Sequence, residues 1–146
     1  MKKIVLIILL AGLGVTEFKA QEYKVVTVVE SIVPMGLGRS RIVEATSPVD
    51  YEQFTTSRSD GKDSDQGKVK RGDAKIDNMN ETKLLNFYSG VGLNFQNIAS
   101  NDALITSMVN KMAKDGWELF SVNSGVESAG YKDNAGIFIT RFIFKK

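Results

Sequence analysis

The 146-residue chain contains neither cysteine nor histidine, and these two absences remove most of the familiar routes to enzyme chemistry. Without thiols, no disulfide braces the fold even if its destination is oxidising, and no lipid-modified cysteine can anchor it. Without imidazole there is no His-ligated zinc or copper, no Ser-His-Asp triad and no imidazole acid or base. Any catalysis would rest on carboxylates, lysine, tyrosine or arginine. A long hydrophobic run is also missing. The apolar stretch from Ile4 to Val15 falls short of the roughly 20 residues that a spanning helix needs.

That short run has a different anatomy. Lys2-Lys3 precedes it and the small residue Ala20 follows it, which is the order of basic, apolar and cleavage regions in a secretory leader. The reading is a signal peptide over residues 1–20, cut before Gln21, and a secreted or periplasmic product with no stable membrane span. Phe18 departs from the usual small-x-small pattern at such a site. Loss of Lys2, Lys3, Lys19 and Glu17 takes the charged residues from 19 basic and 17 acidic to 16 and 16. A neutral chain lacks the basic excess of a nucleic-acid binder, so nucleic acid is not an expected partner.

Residues 21–146 are enough for one domain with its own core. Tyr23 to Val33 is rich in β-branched residues and apolar on both faces, the mark of a central strand covered on both sides, whose ends alone reach water. Pro34 to Gly38 interrupts it, and Arg39 to Ala45 resumes as a hairpin partner. Val49 to Phe54 alternates like an edge strand, and Ser57 to Asp73 has only Val69 as a sizeable apolar group. Residues 46–81 therefore read as a polar, flexible insertion. Lys83 to Tyr88 reads first as a strand, with helix left open by Leu84-Leu85.

The principal helix is expected over about residues 101–115, capped by Ser100. Its stripe is Leu104, Ile105, Met108, Val109 and Met112, and Gly116 is the left-handed stop. Trp117 to Val122 and Ile137 to Phe144 follow as strands, the second inside the sheet because both its faces are apolar. The fold class is α+β, a mainly antiparallel sheet packed against one principal helix.

Two short motifs, Glu22-Tyr23-Lys24-Val25-Val26 on the first strand and Gly116-Trp117-Glu118-Leu119 after the helix, resemble a small bacterial domain family that opens with an E-Y-K-V-V strand and carries a G-W-E-L turn. The family has no assigned activity. The resemblance implies a sheet packed on a helix, with Gly116 ending that helix and Trp117 filling core.

Candidate sites are few. Gly36, Gly38, Arg39 and Arg41 form a glycine-bearing loop where backbone amides and two guanidiniums could hold a small anion. Arg41 stands where a dinucleotide fingerprint needs its third glycine, so that motif fails; the competing reading is a hairpin turn with two solvated arginines. Asp60, Asp63 and Asp65 miss the EF-hand spacing. Ser59 and Lys62 match a serine–lysine spacing in a polar stretch. Glu118 and Glu127 are a formal carboxylate pair, and Asn80-Glu81-Thr82 is a weak glycosylation match. Asn86, Tyr88, Asn94, Gln96 and Asn97 are a dense set of polar groups, read chiefly as ordered packing.

The sequence-based expectation is an exported, non-enzymatic binding or self-associating module of the cell envelope, without cofactor or metal, using exposed strand edges toward a protein partner or itself. Alternatives are a small-anion binder using the Gly36–Arg41 loop and a carboxylate-dependent hydrolase.

Overall fold

A computed structural model describes residues 20–33, 39–127 and 136–146. Strands β1 (Tyr23–Ser31), β2 (Arg41–Ala45) and β3 (Met79–Lys83) precede a small ribbon of β4 (Tyr88–Ser89) and β5 (Gly92–Leu93). Helix α1 (Phe95–Lys114), β6 (Glu118–Glu127) and β7 (Ile137–Lys145) complete the order. The main sheet runs β3-β2-β1-β7-β6, and every neighbouring pair is antiparallel. The valine-rich first strand is thus the middle one, as its two-sided apolarity predicts. The architecture is the α+β arrangement expected, a five-stranded sheet against one long helix.

Pairing registers assign each side chain to a face. Val26 opposes Phe142 and Glu44, and Val28 opposes Ile42. These residues and Phe144 lie under α1, where Val26, Val28, Ile42, Leu84, Met112 and Phe144 are buried together. Ile105, Met108, Val109, Trp117 and Phe142 pack around them. Most of the predicted stripe thus meets the sheet, each fully buried side chain contributing roughly 1.5–3 kcal/mol. Leu104 lies at the margin and stays exposed. Trp117 is half-buried against the core, with the ammoniums of Lys24 and Lys146 at 5.1 and 5.8 Å from its ring centroid.

The helix stop is built as the sequence indicates. Gly116 has φ +85°, its N–H donates to Ala113 O, and the Trp117 N–H donates to Met112 O. This paired 5→2 and 6→1 closure is a Schellman motif, and the left-handed residue inside it is easiest for glycine.

Several boundaries differ from expectation. The helix starts at Phe95, where Asn94 Oδ1 accepts from the Asn97 N–H at 3.1 Å. Ser100 is no cap; its hydroxyl donates to Gln96 O inside the helix. An amide cap one and a half turns earlier wins because residues 95–100 hold no glycine or proline to oppose helix. The expected edge strand at residues 49–54 is a 3-10 turn at Tyr51–Phe54 with Asp50 as its cap; alternation alone cannot make a strand without a pairing edge. Instead β2 pairs with Met79–Lys83, so the end of the supposed insertion belongs to the sheet. Lys83 to Tyr88 is correspondingly not one strand: β3 ends at Lys83, Leu84 turns into the core and β4 begins only at Tyr88. The polar residues Asn80, Glu81, Thr82 and Lys83 suit β3 as an outer strand, where charge discourages further pairing. From 57 to 78, only Val69 is even half-buried, in keeping with the polar composition.

Candidate binding surface on the open sheet face

The helix closes one face of the sheet, and no described element packs over the other. On that open face β1 presents Tyr23, Val25, Thr27 and Val29. Beside it β7 presents Ile139, Arg141, Ile143 and Lys145, and β2 adds Arg41 and Val43. The expectation that two-sided apolar strands are buried on both sides is corrected here: Tyr23 is 55% and Val25 46% exposed.

On β6 the register shifts between Leu119 and Ser121. This bulge places Leu119 and Val122 on the helix side and turns Phe120 to the open side, breaking the simple alternation expected for residues 117–122. Phe120 is 56% exposed and meets Tyr23 edge-to-face, with ring centroids 5.7 Å apart. Lys145 lies over its ring at 5.5 Å and reaches Glu118 at 3.4 Å. An aromatic pair therefore marks one end of the face. Toward the other end Gly125, opposite Ile139, leaves a shallow, open hollow of about 390 Å³ bordered by Asn123, Glu127, Ile139 and Arg141. A Cβ built on Gly125 would meet nothing within 4 Å.

Of the anion loop, Gly36 and Gly38 lie outside the described residues. Arg39 is exposed and Arg41 is half-buried on β2, where its guanidinium bonds the Glu81 carboxylate across to β3. An anion at Arg41 would compete with a carboxylate already in place. Glu118 and Glu127 occupy opposite ends of β6, on the order of 30 Å apart by strand rise, so they cannot flank one bond. Asp65 pairs with Lys68, and no acidic cluster able to hold a metal occurs among the described residues. Ser59 and Lys62 are both exposed.

The polar groups of residues 86–101 serve packing. Asn101 is fully buried; its Oδ1 accepts from the Leu85 N–H at 2.8 Å, and its Nδ2 donates to Leu85 O and Glu30 Oε1. Asn86 donates to Val33 O and Tyr88 O, and Asn97 to Asn86 O. Asn101 carries the largest share of this lattice and lay beyond the set of polar residues that the sequence singled out. An interior helix asparagine gives no signal of a buried role by its spacing.

Burial holds the Glu30 carboxyl above its usual range; the Asn101 hydrogen bond pulls it down and the Asp102 charge adds to the rise. A carboxyl raised on folding binds its proton more readily in the native state. Stability therefore falls as pH rises from the unfolded pKa through the folded one. Glu30→Gln, which keeps an acceptor for Asn101, is expected to be more stable than the parent at neutral pH. The gain should vanish below about pH 4, as urea titrations at several pH values would reveal.

On the helix side, an open groove of about 470 Å³ runs between α1 and strands β2 and β3, past Ile42, Glu44, Thr82, Leu104 and Met108. Its charged groups are engaged: Glu44 with Lys24 at 2.9 Å, and Lys111 with Asp115. No described helix is long and apolar enough to cross a membrane. No protein-family model, curated protein or solved structure matches the chain.

Proposed function

We propose that the chain is an exported, non-enzymatic binding or self-associating module of the cell envelope, and that the open sheet face is its contact surface. One observation carries this reading. A central sheet with α1 on one side leaves Tyr23, Val25 and Phe120 about half exposed on the other, with Ile143 beside Val25; a second apolar group, Val29 and Ile139, lies beyond the Thr27–Arg141 row. Exposed apolar groups rimmed by polar residues mark interaction sites. The leader-like residues 1–20 support the exported address. The reading also agrees with a histidine-free, cysteine-free composition.

Hydroxyl-radical footprinting tests the proposal. Tyr23 and Phe120 should be oxidised more slowly in intact expressing cells than in the purified protein at high dilution. Equal oxidation in both settings would mean that nothing covers the face where the protein works.

A further inference from the structure

Resting on that reading of the open face, we infer that its occupant is a second copy of this chain, packed sheet against sheet about a two-fold axis. The first argument is shape. The aromatic pair Tyr23–Phe120 stands at one end of the face and the Gly125 hollow lies toward the other. A two-fold axis across the strands exchanges the ends, so the aromatic end of each copy meets the hollow of the other. A surface that contacts itself must be self-complementary in this sense, and a knob with its own socket satisfies the condition twice.

The axis that pairs the two ends passes close to the level of Arg141 on β7, so it brings the Arg141 guanidiniums of the two copies near each other, a like-charge contact that salt screens. Area is sufficient. Strands β1, β7 and β6 over about nine residues, with the five residues of β2, cover roughly 500 Å², so a pair would bury on the order of 1,000 Å², the least that a specific interface needs. Two antiparallel sheets stacked in this way form a β-sandwich about 10 Å thick between sheets, with α1 of each copy on the outside.

Gly125→Leu gives a clean test because the added side chain has open space in the single copy while it fills the socket. Sedimentation velocity of the chain, as processed by a bacterial host, is run from about 1 to about 100 μM, the range suited to an interface of this size. The parent should pass from monomer to dimer. Gly125→Leu and Val25→Lys should each weaken pairing at least tenfold, with thermal melts of the dilute monomer unchanged or improved for Gly125→Leu.

A parent that stays monomeric throughout overturns the inference. So does a dimer indifferent to both substitutions, which would place the contact elsewhere, such as the free edge of β6. Either result leaves the broader proposal to the footprint. Tyr23 and Phe120 protected in cells while the pure protein is monomeric means a different partner on the same face.

Discussion

Phe144→Ala is expected to lower the free energy of unfolding by roughly 3–5 kcal/mol. Phe144 is 1% exposed and sits on β7 between Lys24 of β1 and Leu119 of β6, beneath the helix residues that form the core. Truncation to a methyl group removes the ring's burial and leaves a cavity that two strands and a helix cannot readily close. For a domain of ordinary stability, about 5–15 kcal/mol in total, that is a large fraction. Urea titration followed by Trp117 fluorescence would report it, since the indole packs on the same cluster. A loss below about 1 kcal/mol would mean that the helix does not press on this face.

Asn101→Ala should be nearly as damaging, by about 3 kcal/mol. The side chain satisfies both backbone groups of Leu85 and one oxygen of Glu30 in a fully buried position. Alanine leaves three polar groups short of a partner, each costing about 1–3 kcal/mol when water cannot reach it. The penalty should shrink when Glu30 is already glutamine, because an unpaired half-buried charge is worse than an unpaired amide. A double-mutant cycle between the two positions measures that coupling. Strict additivity would contradict the hydrogen bond.

Periodicity revealed the parts of this fold that depend on local chemistry. The Leu104–Met112 stripe and the Gly116 stop both follow from helix geometry, and the valine-rich opening marked β1 as central. The missed features depend on partners distant in sequence. Met79–Lys83 has no apolar alternation, and it becomes a strand because β2 offers it a ladder. The bulge at Phe120 adds one residue to a strand and reverses the faces beyond it, which no period-two count can foresee. The most consequential misreading concerned strands with apolar residues on both sides, which implied two covers. Sequence reports only that a surface is apolar; which of its two sides receives helix α1 is decided by connectivity. The Gly36–Arg41 loop illustrates the converse, since Arg41 finds Glu81 forty residues away.

The chain's lack of cysteine permits a direct measurement of that asymmetry. Val25 and Val26 are adjacent on β1 and point to opposite faces, 46% and 0% exposed. Single variants Val25→Cys and Val26→Cys, treated with a small thiol reagent in dilute solution where copies do not pair, should differ greatly in rate. The thiol at 25 should react nearly as fast as a free one, and that at 26 only through transient unfolding, several orders of magnitude more slowly. Similar rates at the two positions would contradict a sheet closed on one side and open on the other.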